Sequence, residues 1–294
     1  MNIFSKTTTK RLSSFLLVSV FLFSFTTSAN EQQDDFITGA GAHFSWVIMD
    51  ALQPILEKSS GRKLKLYGQA SMLGAGCNAG IKFALENAPD HETFGFVCCP
   101  LSNEEITKKK LRVFPLAVEP ILILVNRDNP VDNLTAKQVR DIFSGKITNW
   151  KEVGGNNKPI VVVNRLHCAD RPGHWKTILP DEKDFRKERL NVKSAAAMVK
   201  RINDFKDAIG HTGSAWAFMP GDKVKSIRID NIEASASALK NNTYPFFRQL
   251  SVVTNETPSE TVLKIIDTAQ TELKTHPIAK KYRLLPSGNG EYKF

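Results

Sequence analysis

The stretch Leu134-Thr-Ala-Lys-Gln-Val-Arg-Asp-Ile-Phe-Ser-Gly-Lys-Ile-Thr-Asn-Trp-Lys-Glu-Val-Gly-Gly155 carries the most information in this chain. Thr135 and Gln138 have the spacing of a capping box, in which each side chain satisfies the other residue's backbone N–H. Val139, Ile142 and Phe143 follow at helical spacing and turn one face to a core. Gly145 ends the helix, because glycine accepts the left-handed conformation that a helix end requires. Trp150 and Gly154-Gly155 then read as a turn pinned by a large aromatic side chain. The content of the stretch is scaffolding, and it says nothing direct about a ligand.

On either side, short apolar runs alternate with amphipathic segments. Before the stretch, strands are expected at Phe36–Thr38, Leu64–Tyr67, Thr93–Val97 and Ile121–Val125. The last is apolar throughout, as a strand buried on both faces would be. Helices are expected over Phe44–Ile55, from Ile81 after a Gly-rich turn (Gly68 to Gly80), and from the Ser102-x-x-Glu105 capping pattern. After the stretch come strands at Ile160–Val163, Ala208–His211, Ala215–Phe218 and Gln249–Thr254. Helices are expected at Ser194–Asp204 and Ser259–Thr275. This alternation predicts an α/β protein with mostly parallel sheets.

The 294 residues suffice for two domains, and the composition, 41% hydrophobic and 24% charged, is that of a globular protein rather than a disordered or fibrous one. The formal charge of +10 is spread thinly. A nucleic-acid binder concentrates its charge on one face or arm, whereas attraction to a small anion needs less. Residues 1–29 read as a signal peptide. Lys6, Lys10 and Arg11 precede the apolar run Phe15–Phe25, and Thr27-Ser-Ala29 supplies small residues for cleavage. The run is too short to span a bilayer comfortably. The mature chain is expected from about Asn30, periplasmic or secreted, without stable membrane insertion, in an oxidising compartment.

The segment 134–155 closely resembles the phosphate-binding proteins that serve ABC transporters in the periplasm, through Leu134, Thr135, Gln138, Val139, Ile142, Phe143, Gly145, Ile147, Trp150, Val153, Gly154 and Gly155. Gly39-Ala-Gly41, Gly68 to Gly80, Gly95 to Leu101, Asn164-Arg165 and Tyr244-Pro-Phe-Phe-Arg248 resemble other parts of the same family. The resemblance implies a two-lobed periplasmic-binding-protein fold with a central cleft and two crossing strands. It implies lobes of 30–118 plus 233–294 and of 119–232, and a monomer that is not an enzyme, needs no cofactor and delivers its ligand to an ABC permease. Its anion chemistry would rest on helix N-termini and one Arg fork. Carried onto this chain, the ligand-binding residues are Gly41, Ala42, His43 and Phe44; Gly76 and Cys77; Cys98 and Cys99; and Arg165, His167 and Cys168.

The chain departs from that family where the ligand would lie. Ala42-His43 stands where relatives carry Ser or Thr, and the inter-domain loop reads Arg165-Leu-His-Cys-Ala-Asp170 in place of a Gly-Ser-Gly-Thr pattern. All four cysteines fall in the expected cleft loops, with His43 and His167 beside them and His174 just beyond. Three readings stay open: a disulfide among Cys77, Cys98 and Cys99; a soft metal or metalloid site; and inert buried thiols. A phosphate or related oxyanion is the leading ligand, and a soft metal or modified anion the alternative. A thiol enzyme using Cys168 and His43, or an adhesion protein, is a further possibility. Arg165 is the expected anion ligand, with Arg171 as its substitute, and His91, His211 and His276 are read as structural.

Overall fold

The computed structural model describes residues 36–67, 76–168, 171, 173–216 and 223–291, which belong to the unit Gln33–Phe294. The export segment expected at 1–29 lies outside them, as do most of the Gly-rich turn and Ala169, Asp170 and Pro172. The strands are β1 (Phe36–Gly41), β2 (Lys63–Leu66), β3 (Thr93–Val97), β4 (Arg112–Asn126), β5 (Asn133–Leu134), β6 (Val161–Asn164), β7 (Leu190–Asn191), β8 (Ala208–Gly213), β9 (Val224–Ser226), β10 (Arg228–Ile229), β11 (Phe247–Thr254) and β12 (Leu285–Pro286). The helices are α1 (Met49–Ser60), α2 (Cys77–Leu85), α3 (Asn103–Lys109), α4 (Ala136–Ser144), α5 (Ala195–Asp204), α6 (Ala236–Lys240), α7 (Glu260–Glu272) and α8 (Pro277–Lys281).

The main sheet runs β2-β1-β3-β11-β4-β8-β6-β7. Its two ends are parallel, β2-β1-β3 on one side and β8-β6-β7 on the other. Between them β4 and β11 run antiparallel, and they link two separate hydrophobic cores. One core holds Phe44, Leu52, Phe96, Leu116, Val252 and Ile265. The other holds Ile123, Phe143, Trp150, Val163, Ile209 and Phe246. Residues Ala234 to Phe246 pack into the second core, so β11 crosses back after Phe246. Both faces of the sheet are covered, which explains the unbroken apolar run Ile121–Val125. This is the two-lobed α/β fold expected from sequence.

The capping signals are realised. Thr135 and Gln138 form the reciprocal capping box of α4, Gly145 closes that helix at φ 84, and Ser102 caps α3. Ser194 and Ser259, expected only as helix starts, also cap α5 and α7. The helix expected from Phe44 starts as a 3-10 turn, His43–Trp46, and α1 itself begins at Met49. Three further segments differ from expectation. First, β4 begins at Arg112, well before Ile121. Pro115 and Pro120 hide it in the sequence, and the ladder absorbs Pro115 where its register shifts between Leu250 and Ser251. Second, α2 starts at Cys77, because Gly80 is inside the helix and serves close packing. A Cβ there would lie 2.4 Å from the Phe96 carbonyl oxygen. Third, Ala215 and Trp216 belong to a 3-10 turn, Ser214–Trp216, and not to a strand. The Ala215 N–H donates to the Glu119 carboxylate at 2.7 Å, which removes it from any ladder; Ala217 and Phe218 lie outside the described residues.

Candidate functional site

Four chain segments converge where the two cores meet. In the first lobe, β1 ends at Gly41 and leads into a 3-10 turn, His43–Trp46, ahead of α1. The parallel strand β3 ends at Val97 and leads into Cys98 and Cys99. Parallel neighbours deliver both exits to the same edge. The start of α2 joins them because Gly80 and Gly95 let the backbones touch: a Cβ on Gly95 would lie 1.8 Å from the Gly80 carbonyl oxygen. Cys77, the first residue of α2, is thereby set against Cys98. Their sulfurs are 3.7 Å apart, and the Cys98 N–H donates to Cys77 Sγ at 3.2 Å. From the second lobe, β6 ends at Asn164 and sends Arg165, His167 and Cys168 onto the first. Cys168 holds a left-handed φ of 54 and packs on the first core. Trp175 fixes this loop by donating to the His167 carbonyl at 2.7 Å.

Arg248 stands at the centre and is fully engaged. Its Nε donates to Glu119 Oε2 at 2.6 Å, and Nη1 donates to Cys98 Sγ at 3.3 Å and to His174 Nδ1 at 3.0 Å. Nη2 lies 3.5 Å from His43 Nε2. Because a guanidinium only donates, His174 accepts at Nδ1 and carries its proton on Nε2. That proton goes to His211 Nδ1 at 3.0 Å, and His211 Nε2 donates onward to Asn164 Oδ1 at 2.7 Å. A buried polar chain thus runs from Glu119 to Asn164, with every tautomer set by Arg248.

Burial keeps these imidazoles neutral. Desolvation first, and the Arg248 charge second, holds His43 at about 3. His211 is held at about 3 by desolvation, reinforced by His167 and Arg165. His174 and His167 are lowered for the same leading reason. Burial pushes the Glu119 carboxyl up, and Arg248 is the group that opposes this. Cys168, partly buried against the first core, is pulled down to about 4 by sulfur hydrogen bonds from Cys77 and Cys99. Cys99 is pushed up by its hydrogen bonds with Cys168, Cys77 and Cys98 and by burial. All four thiols are free. The 3.7 Å between Cys77 and Cys98 far exceeds the roughly 2.05 Å of a disulfide, so the bridge expected as one possibility is not formed.

The PBP superfamily domain matches residues 26–271, most of the chain. The chain belongs to the PBP superfamily. It is 32% identical over 146 residues to the phosphate-binding protein PstS of Bacillus subtilis, covering 49% of this chain and 47% of that protein. It is 28% identical over 216 residues to PstS of Staphylococcus epidermidis, covering 68% and 64%. It therefore spans less than two thirds of the length of these curated relatives. Among solved structures, a protein from Clostridium perfringens described as a phosphate ABC transporter substrate-binding protein, with bound phosphate, superposes with TM-score 0.71 at 25% identity, covering 86% of this chain and 100% of that one. An ABC-type phosphate transport receptor from Vibrio cholerae shares the fold, with TM-score 0.63 at 24% identity.

Within this PBP-superfamily chain the expected site residues gather, with differences in what each can offer. His43, Cys77, Cys98, Cys99, Arg165, His167 and Cys168 form one cluster. Gly41 shapes the turn at φ 138, but the Ala42 N–H is spent on the Phe96 carbonyl at 2.8 Å, and the Gly76 N–H on that of Gly41 at 3.1 Å. The Phe44 ring is in the core, edge-on to Phe96. Arg171 does not substitute for Arg165: it is buried and held by Glu105 and Asn78. His211, read as structural, is buried in the polar chain, and His276 caps α8. Sequence reading missed Glu119 and Arg248 as a pair, since 129 residues separate them. Their one signal was a lone acid before the run Ile121–Val125 and a lone base at the start of another strand.

Proposed function

We propose that this chain is the extracytoplasmic solute-binding component of a phosphate-type ABC importer, a binding protein and not an enzyme. It would act as a monomer, close two lobes on a small oxyanion and present the closed form to a permease. The names of its relatives and the bound phosphate of the Clostridium perfringens structure support the ligand class. The observation that carries the reading is Arg165. Arg248 has its donors committed to Glu119, Cys98, His174 and His43, whereas Arg165 Nε is buried without a hydrogen-bond partner among the described residues. A buried donor left unsatisfied costs roughly 1–3 kcal/mol. An oxyanion accepting from it would remove that cost and add a charge-assisted bond. From the first lobe, His43 stands beside Arg248, while Gly41, Ala42, Phe44 and Gly76 shape the backing of the proposed pocket, the N–H groups of Ala42 and Gly76 being already spent. The lobe division remains part of the proposal, with the return crossing moved from residue 233 to about 247 by the packing of Ala234 to Phe246.

Isothermal titration with inorganic phosphate tests this. Arg165→Ala is expected to weaken binding about tenfold or more, from the loss of roughly 1.5–3 kcal/mol. Unchanged affinity in a folded Arg165→Ala variant, or no phosphate binding by the parent protein, rejects the reading.

A further inference from the structure

The sulfur atoms of Cys77, Cys99 and Cys168 all lie within 4.8 Å of one another, and so do the ligand atoms of Cys98, Cys99 and His167. Cys99 belongs to both groups, so the two triads of soft donors meet at one sulfur. We propose that this cluster is a metal site for a thiophilic closed-shell ion, zinc(II) or copper(I), held by Cys77, Cys99 and Cys168 with His167 or Cys98 as the fourth ligand.

Geometry, ligand chemistry and charge each support it. Sulfurs bound to zinc at about 2.3 Å stand roughly 3.8 Å apart in a tetrahedron, so the three thiols need only a small contraction to share an ion. His167 is oriented for ligation. Its Nδ1 lies 3.4 Å from the Arg165 carbonyl oxygen, which can only accept, so the proton sits on Nδ1. The Nε2 lone pair is left facing Cys99 Sγ, 3.7 Å away. A backbone carbonyl holding the far nitrogen of a ligating imidazole is a common outer arrangement at metal sites. Thiolate and imidazole donors select zinc and copper(I) over hard cations. On binding, each ligating sulfur that still carries a proton releases it to solvent. The surplus negative charge of the thiolates falls near Arg165, Arg171 and Arg248, all of which act electrostatically on these sulfurs.

The inference stands apart from the anion reading, and it is tested with phosphate left out of every solution. The reduced full-length mature protein is titrated anaerobically with zinc(II) alone, and separately with copper(I) alone, against a competing chelator. One equivalent of either ion is expected to bind, and the arm that binds tighter names the metal. Cys99→Ser removes the ligand shared by both groups. It should weaken binding by more than the roughly 10–100-fold that even an outer partner of a ligand is worth. Should Cys99→Ser misfold, Cys168→Ser at the least buried of the four thiols serves in its place with the same expectation. Cobalt(II) substitution should give thiolate-to-metal absorption that either variant loses. Failure of the folded parent to bind either ion, or undiminished binding in both serine variants, overturns the proposal.

Discussion

Glu119 and Arg248 face each other across the antiparallel pair β4–β11, Nε to Oε2 at 2.6 Å, where both strands pass from one hydrophobic core to the other. Both side chains are almost wholly inaccessible to solvent. The carboxylate's second oxygen takes the Ala215 N–H at 2.7 Å, and the guanidinium reaches Cys98, His174 and His43. The connection between the lobes and the floor of the site are therefore one hydrogen-bonded unit.

Removing one partner of this pair should be costly. Glu119→Ala leaves a buried guanidinium without its carboxylate and the Ala215 amide without an acceptor, an expected loss of about 3–5 kcal/mol. Urea denaturation measures it. A loss below about 1 kcal/mol would show that the pair contributes no more than an exposed one.

Gly213 should be irreplaceable for the same reason. A Cβ at that position would lie 2.4 Å from Glu119 Oε1 and 2.5 Å from Arg248 Nη2. Gly213→Ala must displace the ion pair, although its backbone conformation does not demand glycine. The expected destabilisation approaches that of Glu119→Ala, and the double variant should be far less than additive. Additive losses would mean that the methyl group is accommodated elsewhere.

How much of this was legible beforehand follows from sequence distance. The α4 capping box, the Gly145 stop and the Ser102 cap are signals contained within four residues, and all were readable. The cysteine cluster was readable only through resemblance, because Cys77, Cys99 and Cys168 are joined by strand exits rather than by spacing. The Glu119–Arg248 pair and the His174–His211–Asn164 chain were not readable, since each joins segments far apart in the sequence. The start of β4 was hidden by Pro115, which the sheet tolerates at a register shift that composition does not reveal.

The buried histidines set a pH dependence. His43 and His211 are held at about 3 in the folded protein, below the 6.5 of an exposed imidazole. Between those values the unfolded chain takes up protons that the folded one refuses, so stability falls as pH drops. The slope is about 1.4 kcal/mol per pH unit for each such histidine. Unfolding free energy measured from pH 7 to 4 checks the trend. Imidazole resonances of His43 and His211 that titrate near 6.5 would contradict it.

Glu105 responds to acid lower down. Its carboxyl is held at about 2, mainly by its hydrogen bonds with Arg171 and then with Lys109. An acid with a depressed folded value stabilises the fold above its unfolded value and ceases to do so as pH falls through the folded one. The tie from Arg171 to α3 should therefore hold above about 4.5 and loosen toward 2. The stability difference between the parent and Glu105→Gln should shrink over that range. A difference that does not change with pH would assign the effect of the substitution to packing.

Cys168 offers the sharpest kinetic test. A thiol held at about 4 is thiolate throughout the neutral range. At pH 6 that raises its thiolate fraction roughly 300-fold over an ordinary cysteine near 8.5. A weaker base is also a weaker nucleophile, however. With a Brønsted coefficient of about 0.45, the 4.5-unit difference takes back roughly 100-fold. The net advantage is therefore only about threefold, and absolute rate is a poor discriminator. The pH profile is a good one. Exchange of Cys168 with an aromatic disulfide reagent should be nearly flat from pH 5 to 8, where an ordinary thiol speeds up about tenfold per unit. Cys77, Cys98 and Cys99 are buried and should react later, as peptide mapping of the reduced, metal-free protein would show. A tenfold rise per pH unit at Cys168, or earlier labelling of a buried thiol, would contradict the thiolate assignment.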